Sequence, residues 1–281
     1  MVIINLISNL DEIFDVEKFY SYNHVIAYSL RRALLSLGHE INMVRDHGDE
    51  APQADHTIVI SAVAMAKVRD NPEYKAMLRE ATQGILALWL DASFSGWDQH
   101  FDRILNVVPP YKDSSDKYRW VGYAAYPDLF YPDQEEKTVF VDSYPWKWYG
   151  GAHDWIYRCI QEALAESGLR ILQPIKVYNQ GRAMWPEMIE AFRASHFHVA
   201  TQIGNFGLTN IEAITCGARL VLHEDLNERR SWPFLMPHAL WETKEELLEI
   251  LAREPDVDYV RSQALEHTWD KVVRRVLENL K

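Results

Sequence analysis

Apolar residues in the first hundred positions fall in short runs, separated by stretches whose apolar positions recur at helical spacing. Val2–Ile7 reads as a buried strand. Ser21–Leu37 reads as a helix with Val25, Leu30 and Leu34 on one face, stopped by Gly38 at C′. Further strands are expected at Ile41–Val44, Thr57–Ser61, Ile85–Leu90 and Ile104–Val107, and Asn71-Pro72 supplies an N-cap and an N1 proline for a helix between two of them. Such alternation predicts βαβ units and a mostly parallel, doubly wound sheet. The proline-rich stretch 109–132 reads as loop and hinge. A second alternating set follows: strand Thr138–Val141, helix Ala152–Ser167, strand Leu169–Leu172, a helix opened by Pro186, and strand Phe197–Thr201. A short helix bounded by Gly207 and Gly217 leads into strand 218–222. Thr243 and Glu246 form a capping box for another helix, and an amphipathic helix near Trp269–Leu280 closes the chain. The expected architecture is α/β, with two Rossmann-like lobes of mostly parallel strands facing an interlobe cleft.

Composition narrows the function. With 281 residues, 48% of them hydrophobic, the chain can bury real cores, and no apolar run is long enough for a membrane span. Met1–Ile7 lacks a basic leader and reads as a first strand, not a signal peptide. Cys159 and Cys216 lie far apart, so a reduced, cytoplasmic protein is expected. A formal charge of −12 argues against nonspecific coating of nucleic acid. A local basic groove using Arg229-Arg230, Arg274-Arg275 or Lys147 stays open. No G-x-G-x-x-G is present, which disfavours a nicotinamide or flavin site.

The most informative stretch is Gly204–Gly217, a strand–turn–helix–strand unit. Helix amino ends present unsatisfied N–H groups and partial positive charge, which suits a phosphate. The amides near Gly207, Leu208 and Thr209 are therefore candidate diphosphate contacts, with Asn205 as a polar neighbour. Glu212, one turn on, is placed to accept hydrogen bonds from ribose hydroxyls. Phosphate plus ribose points to a nucleoside diphosphate. Asp91 is a candidate general base because it ends a buried-type strand; an ordinary helix cap is the equal alternative. His24 is a second candidate base, or a helix-face histidine. His196-x-His198 and Asp256-x-Asp258 lack further ligands or a suitable place, and no metal site is expected.

The run Phe206–Val221 resembles the donor signature of group 1 glycosyltransferases, E-G-F-G-L-x-x-x-E-A-M-A-C-G-x-P-V-V. Tyr126–Pro132, Trp185–His196 and Thr268–Val276 are similar to other pieces of that family in the same order. The resemblance covers residues 120–281 and implies the GT-B fold. Its implied division is an acceptor-side lobe at 1–125, a donor lobe at 126–265, and a helix at 266–281 returning to the first lobe. It implies metal-independent sugar transfer from a nucleoside-diphosphate donor, uridine-based, to a hydroxyl, with no cofactor beyond that donor. Ser143 and Lys147, in the loop after the first strand of the second lobe, and Arg182 would neutralise the diphosphate. Where the family often carries a glutamate eight residues before Glu212, this chain has Gly204, which weakens inference of a retaining mechanism. The acceptor stays open among small molecules, glycans and modified DNA. The rival readings are a virus-type DNA glycosyltransferase, a nucleotide-sugar 2-epimerase and a non-catalytic nucleotide-binding scaffold.

Overall fold

A computed structural model describes residues 1–9, 22–48, 50–90, 96–107, 115–141, 154–172, 185–201, 207–226 and 238–281. The chain divides into two compact units, one of Met1–Gly122 with Trp269–Lys281 and one of Tyr123–Thr268.

The first unit holds strands β1 (Ile3–Ser8), β2 (Glu40–Arg45), β3 (His56–Val59), β4 (Leu86–Leu90), β5 (Arg103–Asn106) and β6 (Tyr118–Trp120). They form one parallel sheet in the order β2-β1-β3-β4-β5-β6. Helices α1 (Tyr22–Ser36), α2 (Ala62–Asp70), α3 (Pro72–Glu80) and α9 (Trp269–Asn279) belong to this unit. β4 reads Leu-Ala-Leu-Trp-Leu and is buried throughout, as a parallel strand covered on both faces must be. Leu86, Leu88 and Leu90 join the core with Val68 of α2 and Leu78 of α3. The alternate residue Trp89 meets Trp269 of α9, with ring centroids 6.4 Å apart.

The second unit holds β7 (Thr138–Val141), β8 (Arg170–Leu172), β9 (Phe197–Val199), β10 (Arg219–His223) and β11 (His238–Trp241). Its parallel order is β11-β10-β9-β7-β8. Around it lie α4 (Asp154–Ser167), α5 (Trp185–Ala194), α6 (Leu208–Thr215), α7 (Lys244–Ala252) and α8 (Val257–Leu265). Val139 and Val141 pack in the core with Ile156 and Ile160 of α4. Phe140, between them, packs 4.6 Å from Phe192 of α5. Alternation thus places α4 and α5 on opposite faces of the sheet.

Some elements differ from the sequence expectation. Asn71 caps α3 with Pro72 in its first turn, as expected, but Ser61 leaves the third strand to cap α2, a helix the pattern did not predict. β6 lies inside the stretch expected to be loop, and β11 and α8 have no counterpart in the pattern. A strand of three or four residues is too short to show a period. Asp256, half of the D-x-D pair, is the N-cap of α8 and accepts from the Tyr259 amide at 2.9 Å.

Acidic side chains fix the amino ends of strands in the first unit. Asp55 accepts from the Ile3 amide at 2.7 Å. Asp102 accepts from the Leu86 amide at 2.9 Å and takes a bidentate Arg79 guanidinium, one arm at 2.9 Å. Burial pushes the Asp102 carboxyl up, but the hydrogen bonds from Arg79 and Leu86 outweigh it and hold it below its ordinary 3.8. A carboxyl depressed in the folded state stabilises above its unfolded pKa, and that contribution fades as pH falls through the folded value. Asp102→Asn is therefore expected to lower the urea midpoint near neutral pH. Its gap from wild type should close below pH 3.8; a gap constant across that range would refute the assignment.

Gly217 follows α6 with φ +83°, and a Cβ there would lie 2.4 Å from Val257 Cγ1 and 3.1 Å from Val257 O. Gly217→Ala combines left-handed strain with overlap against α8 and should destabilise by roughly 2–4 kcal/mol in denaturant melts. A loss within error of zero would mean that α6 and α8 do not meet as described.

Candidate donor site

In each sheet the chain runs outward from one strand, then returns to build on its other side. The reversal falls between β1 and β3 in the first unit and between β7 and β9 in the second. Open parallel sheets take ligands outside the carboxyl ends at such a point. One helix leaves each returning strand: α2 after β3, and α6 after β9. The two helices are equivalent in topology and differ in how their amino ends are finished.

At α2 the protein supplies its own anion. Ser61 Oγ accepts from the amides of Val63 and Ala64, at 3.1 and 3.5 Å, and donates to the buried Asp46 carboxylate. The positive end of that helix is thus occupied by hydroxyl and carboxylate.

At α6 the cap is Gly207, which brings no side chain. Its φ of −96° and ψ of 163° are extended values open to any residue, so backbone strain does not require glycine here. The space does matter, because among the described residues the nearest heavy atom to a built Cβ is Asn210 Nδ2 at 3.9 Å. The amides of Leu208 and Thr209 open the helix beside this unfilled position.

The carboxyl end of α6 is tied down. Arg261 of α8 donates to Thr215 O at 2.6 Å, Phe130 O at 2.8 Å and Pro127 O at 3.3 Å. A guanidinium at the negative end of the helix dipole is favourable and fixes where the positive end points.

Glu212 lies in the second turn, 5% exposed, and its Oε1 accepts from Trp185 Nε1 at 3.2 Å. The indole thereby sets the plane of the carboxylate. Burial, and then the neighbouring Glu212 charge, push the Cys216 thiol far up, so Cys216 is a packing residue and not a nucleophile.

The structure thus gathers Gly207, Leu208, Thr209 and Glu212 on one helix at the reversal point. Asn205, Ser143, Lys147, Arg182 and Asp91 lie outside the described residues. His24 is in the first turn of α1 and only 5% exposed. His196 Nδ1 accepts from the Thr138 amide at 3.4 Å, and His198 is fully buried against Phe140. Among the described residues no three His, Cys, Asp or Glu side chains gather as metal ligands, and no helix is long and apolar enough to cross a membrane. Sequence reasoning missed Trp185 and Arg261 as supports of α6. Trp185 was visible only as part of a family-like segment, and Arg261 carried no signal.

No family model and no curated protein matches the sequence. Among solved structures, the chain is similar to AviGT4, a glycosyltransferase involved in avilamycin A biosynthesis, at 14% identity and TM-score 0.57, covering 100% of this chain and 97% of that one. It is similar to HepE of Anabaena, solved with UDP and glucose, at 10% identity and TM-score 0.56, covering 99% and 98%. The UDP-GlcNAc 2-epimerase of Methanocaldococcus jannaschii matches at 10% identity and TM-score 0.53, covering 98% and 99%. With its two all-parallel α/β units, the chain has the GT-B glycosyltransferase fold.

Proposed function

We propose that this protein transfers a sugar from a nucleoside-diphosphate donor, uridine-based, to an acceptor hydroxyl. The observation that carries the reading is the glycine cap of α6 at the β7/β9 reversal, with no side-chain cap among the described residues, set against the serine-capped α2 of the first unit. Amides aimed at a leaving diphosphate stabilise charge as it develops, without reorganising during the reaction. Glu212, oriented by Trp185, accepts from the ribose hydroxyls. Ser143, Lys147 and Arg182 add polar and cationic contacts, with Asn205 beside them. Asp91, the next residue in sequence after β4, takes the acceptor proton; His24 is the alternate base. No metal takes part.

A glycosyltransferase neighbour, a neighbour solved with UDP and glucose, and an epimerase neighbour share the fold, so fold alone does not choose the reaction. Incubation with a panel of nucleoside-diphosphate sugars separates the two. Transfer releases free nucleotide only when acceptor is present, whereas epimerisation converts the donor without acceptor. No thermal shift with any donor, and no turnover, would refute both.

Two substitutions test the site by calorimetry against the donor that wild type binds. Gly207→Ala should fold with a loss of about 1 kcal/mol or less, yet weaken donor binding by more than about tenfold as the methyl meets the diphosphate. Glu212→Gln keeps an oxygen for the Trp185 indole while removing the charge, and should raise the donor Kd roughly tenfold. Unchanged affinity in both variants would move the donor site elsewhere.

A further inference from the structure

Three aromatic rings line up at the carboxyl edge of the second sheet. His223 and Trp241 are the last residues of β10 and β11, and both are buried. Their rings meet edge to face, with centroids 4.5 Å apart at 85°. The second residue of α4, Trp155, meets His223 in the same way at 4.7 Å and 89°. His223 is itself fixed: its Nδ1 accepts from the Asp225 amide at 3.1 Å, so its Nε2 carries the proton and faces Glu242 O at 3.4 Å. The outer ring of this rigid stack, Trp155, is 41% exposed.

A singly exposed apolar side chain is ordinary; what sets this one apart is the buried ring ladder that holds it, and the ladder calls for a reason. Core packing does not supply one, since Ile156 and Ile160 already seat α4 on the sheet. The edge on which Trp155 lies is the edge at which α6 begins. Glu212 and Trp185 belong to the face that carries α5 and α6, whereas Trp155 belongs to the opposite face with α4. A donor with its ribose at Glu212 and its diphosphate at the amino end of α6 has its sugar left to place. The open indole is on the side away from the ribose.

We propose that Trp155 is the platform on which the transferred sugar stacks, the apolar C–H face of a pyranose lying on the indole. The proposal rests on the donor reading above and deepens it. The ring ladder beneath makes the platform stiff, so little side-chain freedom is lost on binding. A flat indole can stack a hexose or a nucleobase alike; its place on the face opposite Glu212 assigns it to the sugar.

The experiment is calorimetry on the full chain with UDP, GDP and ADP and their glucose conjugates, using wild type, Trp155→Ala and Trp155→Phe. Melting temperatures of both variants are recorded first, and Trp155→Phe keeps a ring should Trp155→Ala fold poorly. The expected result is that Trp155→Ala binds the nucleoside diphosphate as wild type does but binds its glucose conjugate about three- to tenfold more weakly, with Trp155→Phe restoring most of the difference. Unchanged affinity of Trp155→Ala for the conjugate overturns the platform while leaving the donor site standing. An equal loss for nucleotide and conjugate also overturns it, since the ring would then serve the nucleoside or the fold. Wild type binding neither class of ligand defeats the donor reading and the platform together.

Discussion

Arg261 holds helix α6 by its carboxyl end, and the candidate site depends on that hold. One guanidinium donates to Thr215 O, the last residue of the helix, and to two carbonyls of the segment 127–130. Charge-assisted bonds of this kind contribute about 1.5–3 kcal/mol each when buried. Gly217 then lets the chain turn back at φ +83° directly against Val257, so α6 and α8 approach without an intervening side chain. With one end locked and residues 210–215 buried, the helix has a single direction left in which to present its amides. Loss of this anchoring would disorder the amides at the other end of α6, although no anchoring residue lies there.

The two units solve one topological problem in opposite ways. A helix entering the reversal point of a parallel sheet leaves amides that must be satisfied. In the first unit Ser61 and Asp46 satisfy them from within, and this also links the chain just after β3 to the chain just after β2, across β1. In the second unit the cap is glycine, and among the described residues no side chain caps the helix. Comparing the two ends is more informative than either alone, because the same fold shows what a structural finish looks like.

Much of the fold was legible because its long elements carry strong periods and strong stops. Val25, Leu30 and Leu34 are buried on α1 as the spacing demands, and Gly38 follows at φ +80°. The box of Thr243 and Glu246 is present with both of its bonds. Asn71 and Pro72 showed where α3 begins, whereas α2, a short helix of weak period just before it, was not legible. In the site, Gly207 and Glu212 were legible because they sit within one short run. Their supports were not, since Trp185 reaches Glu212 across 27 positions and Arg261 reaches Thr215 across 46. The two glycines bounding α6 look alike in sequence, yet Gly217 is required by φ and contact, whereas Gly207 is required by neither.

Acidic composition and an anionic ligand are compatible for a physical reason. A formal charge of −12 repels a diphosphate at long range, but salt screens exposed charges beyond about 8 Å. Inside that distance the field is set by the nearest oriented groups. Backbone amides at a helix end carry about half a positive charge without adding to the net charge. A chain that gathers its attraction from dipoles can stay acidic overall, and so avoid indiscriminate polyanions, while gripping one small anion where the dipoles converge. That division demands that the dipoles not wander. The clamp at Thr215 and the close contact at Gly217 meet that demand, and it explains why so much buried structure supports a helix of two turns.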